Sequence, residues 1–350
     1  METKVYKVQE DNIDLNIIKQ AADIIKSGQL VSFPTETVYG LGADGLNEEA
    51  VKKIYKAKGR PSDNPLILHI SEISELDNLV CEVSEEAKLC IKEFWPGPLT
   101  MIFKKSKIVP DIITGGLDTV AIRMPSNKIA KELIKHSNTP IAAPSANLSG
   151  RPSPTSADHV YEDLNGKIGL IIDGGRCDVG LESTVLDVSG NIPMILRPGK
   201  VSYEDLIKIL PNTIIDKSIL KDGEIPKSPG QKYKHYAPKG QMLVFIGENE
   251  KVVSKIKEES RKYTKNGNKV AIIATDESIK EYTTTDGLVL SIGSRHNIKS
   301  IGKNLFEVLR KCDDENIDVI LSEGFEKDNL GMAIMNRMLK ASGGNIIKIK

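Results

Sequence analysis

The sequence has few of the residues that build metal centres and disulfides. Its four cysteines, Cys81, Cys90, Cys177 and Cys312, show no CxxC spacing, and none has a histidine at ligand spacing. The five histidines form no HExxH motif. We therefore expect neither structural disulfides nor a metal site built from protein side chains.

The chain also lacks an excess of one charge and long apolar runs. Lys and Arg together number 48, as do Asp and Glu, so the formal net charge is zero, and aromatic residues make up 5%. A protein that grips nucleic acid over a broad surface is usually basic, so this balance counts against such a function. No apolar run is long enough for a membrane span, and the first residues, METKVYKVQEDN, lack a signal core. We predict a cytoplasmic protein without membrane contact.

Two familiar nucleotide-binding motifs are missing or misplaced. No GxxxxGK[ST] motif occurs, which argues against a P-loop. The stretch GLGADG, residues 40–45, matches GxGxxG, but PTETVY separates it from the strand predicted to end at Phe33, so a nicotinamide or flavin site is only a minor alternative. We predict instead that PTETVYGLGADG is a loop. Its Thr35, Thr37 and Tyr39 either bind a small polar ligand or stabilise the loop itself.

The spacing of apolar residues predicts an α/β fold in two parts. In residues 1–210, amphipathic helices alternate with short apolar strands, which indicates a mixed twisted sheet with helices. In residues 241–350 the alternation is regular and predicts a smaller, doubly wound, parallel domain of the Rossmann-like type. Residues 211–240 are dense in Pro, Gly, Lys and Tyr, a composition typical of a linker.

The most informative stretch is KAKGRPSDNP, residues 56–65. A basic residue is favoured at a helix end by the helix dipole, and this explains Lys56. It does not explain Arg60, which follows the glycine at which the helix should end. Two cations fixed here suit a triphosphate, so we predict that Lys58 and Arg60 hold a nucleotide phosphate.

Several predicted strands end in polar or cationic residues followed by Pro or Gly. Each alone can be a turn, but together such groups form the ligand crevice of an α/β sheet. They are Arg123, Ser145, Asn147 and Arg197. Two further residues keep two readings: His69 is either a buried structural histidine or a ligand contact, and Ser183 is either a ligand hydroxyl or part of a turn.

In its ordered motifs the chain resembles the YrdC-like domain of threonylcarbamoyl-AMP synthases. The motifs are PTETVYGLG, KAKGRPSDNPL, AIRMP, APSANLSGRPSPT, ESTV and ILRPG. Two later stretches, SPGQKYKHYAP and GMAIMNRMLKAS, are similar to the longer, two-domain (Sua-type) form of that family. The resemblance covers nearly the whole chain, and the set of motifs is specific although each motif alone is weak.

The resemblance implies a nucleotidyltransferase. It would make L-threonylcarbamoyl-adenylate and pyrophosphate from L-threonine, bicarbonate or CO2, and ATP. A downstream complex would then transfer the threonylcarbamoyl group to the tRNA adenosine on the 3′ side of the anticodon, with at most a weak tRNA contact by this chain. Because the carbamate formed on threonine is itself the nucleophile, catalysis can depend on positioning and charge stabilisation alone, and no Ser-His-Asp or Cys-His set is needed.

The resemblance also implies the site residues. The reacting centre would be at Lys58, Arg60, Ser145 and Asn147. The ATP contacts would be Lys58, Arg60, Asn64, Thr119, Ser145, Ser153, Arg197 and Tyr236. The L-threonine contacts would be Thr35, His69, Arg123, Ala143 through its backbone, and Ser183. The linker would cover the pocket as a lid that excludes water from a labile mixed anhydride, and Mg²⁺ would be held mainly by the phosphate oxygens of ATP.

Two alternatives stay open at this point. An RNA-binding module would grip tRNA in the basic cleft, with the second domain as a scaffold, and it predicts tight, salt-dependent affinity without ATP. A carbamoyl-transfer module of hydrogenase maturation shares the motifs of the first domain. The zinc-finger and acylphosphatase segments expected beside that module are missing from this sequence.

Overall fold

The computed structural model describes residues 2–220 and 235–350. The described residues form two compact units. The first contains residues 2–149 and 153–220, and the second contains residues 150–152 and 235–350. Part of the predicted linker, residues 221–234, lies outside the described residues.

The first unit is built on one mixed sheet of eleven strands. Its strands are Lys4–Lys7 (β1), Val31–Phe33 (β2), Gly40–Asp44 (β3), Ile67–His69 (β4), Leu99–Lys104 (β5), Thr119–Arg123 (β6), Ile141–Ala142 (β7), Leu170–Asp173 (β8), Thr184–Asp187 (β9), Met194–Arg197 (β10) and Ile214–Ile215 (β11). The order across the sheet is β1-β8-β2-β3-β7-β4-β6-β5-β9-β10-β11. The central pair β4 and β6 is parallel, whereas β7 and β5 run antiparallel to it on either side.

Helices cover both faces of this sheet. They are Leu15–Lys26 (α1), Glu48–Lys58 (α2), Leu76–Leu79 (α3), Glu85–Phe94 (α4), Asp111–Thr114 (α5), Lys128–Ser137 (α6), Ala157–Leu164 (α7), Tyr203–Ile209 (α8) and Lys217–Leu220 (α9). One core cluster packs Ile18 of α1 and Leu133 of α6 against Phe33. A second, larger cluster packs Ile54 of α2 against Leu68, and the two clusters together bury both faces of the sheet.

The prediction of a loop over residues 34–45 is wrong for its second half. Gly40–Asp44 is strand β3, which pairs antiparallel with both β2 and β7. The glycines are there for packing, because a Cβ at Gly42 would lie 2.8 Å from the Phe33 ring and 2.9 Å from Ile141. Glycine inside a strand often marks such a close approach. The GxGxxG match therefore belongs to a strand and has no strand-to-helix turn.

Helix α2 ends where the sequence predicted. Asn47 caps its first turn by accepting from the backbone N–H groups of Glu49 and Ala50. Gly59 ends it in the left-handed conformation, with φ of 61°. Glycine adopts this conformation without the cost that a Cβ imposes. As a result Lys58 is the last helical residue, and the chain turns sharply before Arg60.

The second unit is a five-stranded parallel sheet with helices. Its elements are Gln241–Ile246 (β12), Asn249–Lys265 (α10), Val270–Ala274 (β13), Leu288–Ser291 (β14), Ile298–Asp314 (α11), Val319–Glu323 (β15), Asn329–Ala341 (α12) and Ile346–Lys348 (β16). The strand order is β14-β13-β15-β12-β16, with every neighbouring pair parallel. The predicted mixed sheet followed by a smaller parallel α/β domain is confirmed.

Across residues 2–220 and 235–350, no helix has both the length and the apolar character needed to cross a bilayer.

Candidate active site

Three polar side chains form a row across the centre of the first sheet. The ladder pairs His69 of β4 with Arg123 of β6, and it pairs Arg123 with Thr100 of β5. Residues directly opposite each other on adjacent strands project from the same face. All three are buried. This row brings together two of the residues predicted to contact threonine, His69 and Arg123.

Arg123 makes polar contacts with three neighbouring residues. Its Nη1 donates to Thr37 Oγ1 at 2.8 Å, and its Nε donates to the carbonyl of Gly97 at 3.3 Å. Its Nη2 lies 2.7 Å from Oε1 of Glu36 in an ion pair whose two side chains are only 5% and 10% exposed. A buried guanidinium with a fixed fork is suited to a planar carboxylate. In this structure the carboxylate beside it comes from the protein.

The hydroxyls after strand β2 form a small network around the same group. The Oγ1 atoms of Thr35 and Thr37 lie 2.8 Å apart, and Thr35 Oγ1 donates to the Val38 carbonyl at 2.6 Å. Thr35 is therefore joined to Arg123 through Thr37. Tyr39 points elsewhere: its hydroxyl donates to the Gly175 carbonyl and accepts from the Gly174 N–H. Of the two readings of these residues, Tyr39 fits the structural one.

His69 is held uncharged. Burial, and after it the neighbouring Arg123 guanidinium, lower the pKa of His69 to about 3. Its ring packs edge-on against Phe33, with 6.3 Å between ring centroids. A neutral imidazole near Arg123 can hydrogen-bond a ligand without repelling the guanidinium. Its burial suits both readings of His69, and its pairing with Arg123 places it beside a residue predicted to contact threonine.

The lowered pKa of His69 makes stability depend on pH. Below about 6.5 the unfolded chain takes up a proton that the folded ring accepts only near 3, so the free energy of unfolding decreases as the pH falls through this window. Between pH 7 and pH 5 we expect this one group to remove about 2 kcal/mol. His69→Asn should lack that component in urea unfolding, whereas His296→Asn, at an exposed position, should keep it. If the free energy of unfolding depended on pH equally in the wild type and in His69→Asn, folding would not lower the pKa of this ring.

Lys58, the last residue of α2, is bonded directly to the loop that carries Ser145 and Asn147. Its side chain is buried, and Nζ donates at 2.5 Å to the carbonyls of Ser145 and Asn147, with Asn147 Oδ1 at 3.3 Å. Ser145 Oγ donates to the same Oδ1 at 2.6 Å. The four residues predicted for the reacting centre therefore include three that share one hydrogen-bonded group. Lys58 therefore holds the backbone of the loop that contains Ser145 and Asn147, and it also brings a positive charge to this loop.

Arg60 shapes the loop that follows α2. Its Nη2 donates to the carbonyls of Asn64 and Pro65 at 3.2 and 3.1 Å. The backbone N–H of Leu66 then bonds to Ile113, which ties this loop to the segment that leads into β6. Asn64 is buried, and the Tyr55 hydroxyl also donates to its carbonyl.

One predicted ATP contact and one predicted threonine contact lie at opposite ends of β6. Thr119 is the first residue of β6 and Arg123 the last. Four residue-to-residue steps of extended chain separate them by about 13 Å. The Arg60 loop leads into the start of β4, and His69 is its last residue. A ligand set about as long as a nucleotide joined to an amino acid could therefore extend along these strands.

Two further predicted contacts are bonded to each other. Arg197 donates to Ser183 twice, from Nε to the carbonyl and from Nη2 to Oγ, both at 3.0 Å. Ser183 Oγ lies 2.7 Å from Oγ1 of Thr100, a member of the central row. Ser183 thus links a predicted ATP contact to the strand next to Arg123, which favours its reading as a site residue.

The remaining predicted contacts have less direct geometry. Ser153 is buried and donates to Glu182 Oε1 at 2.5 Å. The N–H of Ala143 donates to Ile67, so a ligand contact through the backbone of Ala143 would use its carbonyl oxygen. Tyr236 belongs to the second unit, where it is buried, has a positive φ of 61° and stacks on Phe306. The remaining part of the predicted lid, residues 221–234, lies outside the described residues.

Three buried polar residues that contact predicted site residues were missed by sequence reasoning. They are Glu36, Thr100 and Glu182. Thr100 carried no signal, because a threonine within a strand is ordinary. Glu36 and Glu182 did carry one, since each is a carboxylate within a quoted motif, PTETVYGLG or ESTV.

A protein-built metal site does not stand out. Among the described parts of the chain, no group of three or more His, Cys, Asp and Glu side chains is arranged to hold an ion. A magnesium ion carried on phosphate oxygens needs no such group. The residues present are therefore compatible with Mg²⁺ bound mainly to a nucleotide.

Comparison with known proteins gives consistent results over nearly the whole chain. A family model described as telomere recombination (Sua5, YciO and YrdC) matches residues 23–199, and a model of the threonylcarbamoyl-AMP synthase C-terminal domain matches residues 201–343. Threonylcarbamoyl-AMP synthase of Pyrococcus abyssi is 50% identical, with 95% of this chain and 96% of the relative covered. The Bacillus subtilis enzyme of that name is 46% identical, with 95% and 94% covered. The crystal structure of P. abyssi Sua5 complexed with L-threonine superposes with a TM-score of 0.93 at 48% identity, covering 99% of this chain and 100% of that one.

Proposed function

The chain belongs to the threonylcarbamoyl-AMP synthase family, and we propose that its first unit condenses L-threonine, bicarbonate or CO2, and ATP. The products are L-threonylcarbamoyl-adenylate and pyrophosphate. The observation that supports this most is the buried Arg123 fork at one end of β6, with the Arg60 loop and Thr119 at the other. One end suits the carboxylate of an amino acid and the other suits a nucleotide.

In this proposal the protein positions its substrates and forms no covalent intermediate. The amine of threonine captures the carbon of CO2, and an oxygen of the resulting carbamate attacks the α-phosphorus as pyrophosphate leaves. Lys58 and Arg60 stabilise the negative charge that builds up on the phosphoryl oxygens. Ser145 and Asn147, held by Lys58, orient the reacting groups.

Mg²⁺ is the expected cofactor of this reaction. When bound, it would neutralise charge on the phosphates and assist departure of pyrophosphate. The pocket offers the phosphates cations from Lys58 and Arg60, and the metal would take its ligands mainly from ATP and water. Chelation of Mg²⁺ should therefore stop turnover without unfolding the protein.

The further partners follow from the product. A mixed anhydride hydrolyses readily in water, so an acceptor must take the threonylcarbamoyl group soon after release. We propose that a separate tRNA threonylcarbamoyl-transfer complex does so in the cytoplasm. Any tRNA contact by this chain would be weak. The alternative of a non-catalytic tRNA scaffold is not favoured by the relatives, which are named as synthases.

Pyrophosphate release tests the proposed reaction. The purified protein with ATP, Mg²⁺, L-threonine and bicarbonate, but without tRNA, should release pyrophosphate, and omission of threonine should abolish the release. A scaffold protein would instead bind tRNA tightly, with affinity that falls steeply as salt is raised. Pyrophosphate release that does not depend on threonine would contradict the proposal.

A further inference from the structure

Glu36 is an unusual carboxylate for a protein interior. The residue is 8% exposed, and its carboxylate belongs to the ion pair with Arg123. The angles at that 2.7 Å contact do not make a hydrogen bond. Within residues 2–220 and 235–350, neither carboxylate oxygen of Glu36 accepts a hydrogen bond. Buried carboxylates normally accept several, so this one is short of donors.

The backbone around Glu36 is held by hydrogen bonds at this residue and the next. The carbonyl of Glu36 accepts from Val179 at 2.8 Å, and that of Thr37 accepts from Gly180 at 3.1 Å. Thr35 and Thr37, on either side, are bonded to each other through their hydroxyls. The carboxylate therefore projects from a fixed stretch of backbone. It lies next to the positive charge of Arg123, but no donor in the described residues makes a hydrogen bond to it.

We propose that Glu36 binds the α-ammonium group of threonine and removes the proton that keeps its nitrogen from attacking CO2. The inference rests on the proposed function, since it takes threonine as the ligand of Arg123. It makes Glu36 a catalytic residue in its own right and gives the pocket its selectivity for an amino acid over a simple hydroxy acid.

The geometry follows from the zwitterion itself. The ammonium and carboxylate groups of an amino acid are attached to one carbon, so a ligand whose carboxylate meets Arg123 must place its ammonium close by. Glu36, already 2.7 Å from the guanidinium, is the neighbouring group of opposite charge. Its two oxygens can accept from the three ammonium hydrogens. Arg123 and Glu36, which lie side by side, thus complement the carboxylate and the ammonium group of threonine.

The other titratable groups near this pair do not compete for the ammonium. Burial and the Arg123 guanidinium keep the pKa of His69 low, so its ring is neutral at physiological pH. Burial raises the pKa of the Cys177 thiol, which lies near both Glu36 and Arg123, so the thiol stays protonated. Asp178 also acts on Cys177 but is exposed. Glu36 is consequently the buried anion best placed to receive a proton.

The chemical step balances without any additional reagent. One N–H bond of the ammonium breaks, its proton passes to a Glu36 oxygen, and the electron pair stays on nitrogen. That pair forms the N–C bond to CO2 while one C–O π pair moves to oxygen. A second nitrogen proton then leaves to water and gives the neutral-nitrogen carbamate, whose oxygen attacks ATP. Glu36 later returns its proton to solvent.

Ligand titration without ATP tests the ammonium site. The two probes are L-threonine and the 3-hydroxybutanoate that matches it in configuration but lacks the amine. The wild type should bind L-threonine at least about tenfold more tightly than the analogue, as expected for a desolvated charge pair. In Glu36→Gln this preference should fall to about one, because only the ammonium contact is lost. Turnover of Glu36→Gln at saturating threonine should also fall, by about a hundredfold or more.

The control is Glu323→Gln, which changes a buried carboxylate that pairs with Arg295 in the second unit, and it should keep the wild-type preference. If Glu36→Gln weakens both ligands equally, Glu36 only supports Arg123 and the inference fails. If Glu36→Gln does not fold, the wild type alone decides, since equal binding of both probes would overturn the inference. A wild type that prefers L-threonine but releases no pyrophosphate would contradict the proposed reaction and leave the ammonium site standing.

Discussion

Lys58→Ala is expected to lower kcat/KM by about a hundredfold to a thousandfold, the loss found when one donor to a developing charge is removed. The reason is twofold. In the proposed reaction the variant lacks a cation that would stabilise the transferred phosphoryl group, and it also loses the bonds that hold the loop with Ser145 and Asn147. The loss should appear in kcat, because an interaction that strengthens in the transition state affects the chemical step. Steady-state pyrophosphate release is the measurement.

Lys56→Ala is the matched control for this experiment. Lys56 lies in the last turn of the same helix but is exposed, so its removal should change neither rate nor fold. Lys58 is buried, and its loss removes one hydrogen bond from each of two carbonyls, which should cost about 1–3 kcal/mol of stability. Thermal unfolding of both variants separates this cost from catalysis. Wild-type turnover by folded Lys58→Ala and Arg60→Ala would contradict the role given to these cations.

The second large effect concerns the buried ion pair. Arg123→Met should destabilise the first unit by about 3–5 kcal/mol, because it leaves the Glu36 carboxylate buried without its cation. The double variant Glu36→Gln/Arg123→Met removes both charges and should recover much of that loss. Chemical unfolding of the wild type, both single variants and the double variant gives the coupling between the two residues.

If the changes in unfolding free energy of the two single variants add up to that of the double variant, Glu36 and Arg123 have no interaction energy. Lys128 and Asp11 offer a comparison, since their side chains are 63% and 100% exposed in an ion pair at 3.6 Å. Exposed pairs of this kind contribute about 0–1 kcal/mol. The coupling energy of the buried Glu36–Arg123 pair should therefore be much larger than that of the exposed pair if burial, rather than charge alone, governs it.

Much of the fold could be predicted from local signals. Helix α2 has a capping asparagine at one end and a glycine at the other, and both act over a few residues of sequence. The parallel second domain follows from the regular alternation of strands and helices. Strand β3 could not be found in this way, because three small residues in GLGAD hide the apolar alternation that a strand normally shows. Small residues are needed here because Phe33 and Ile141, which come from other strands, pack closely against this strand.

Individual candidate residues of the site could be singled out from the sequence, but the contacts that join them could not. Lys58 and Ser145 are separated by 87 residues, and the row of His69, Arg123 and Thr100 depends on strand register. Register is a property of the folded sheet, so Thr100 could not be singled out beforehand. Glu36 could have been noticed as a carboxylate between two threonines, yet its lack of hydrogen-bond donors is visible only in three dimensions.

The most direct test of the proposed reaction is to identify the product formed without tRNA. The protein is given ATP, Mg²⁺, L-threonine and isotopically labelled bicarbonate, and the nucleotide products are analysed by mass spectrometry. The proposed reaction predicts an adenylate that contains threonine and one labelled carbon, formed in equal amount with pyrophosphate. An adenylate without the label, or ADP and phosphate in place of AMP-linked product and pyrophosphate, would contradict it.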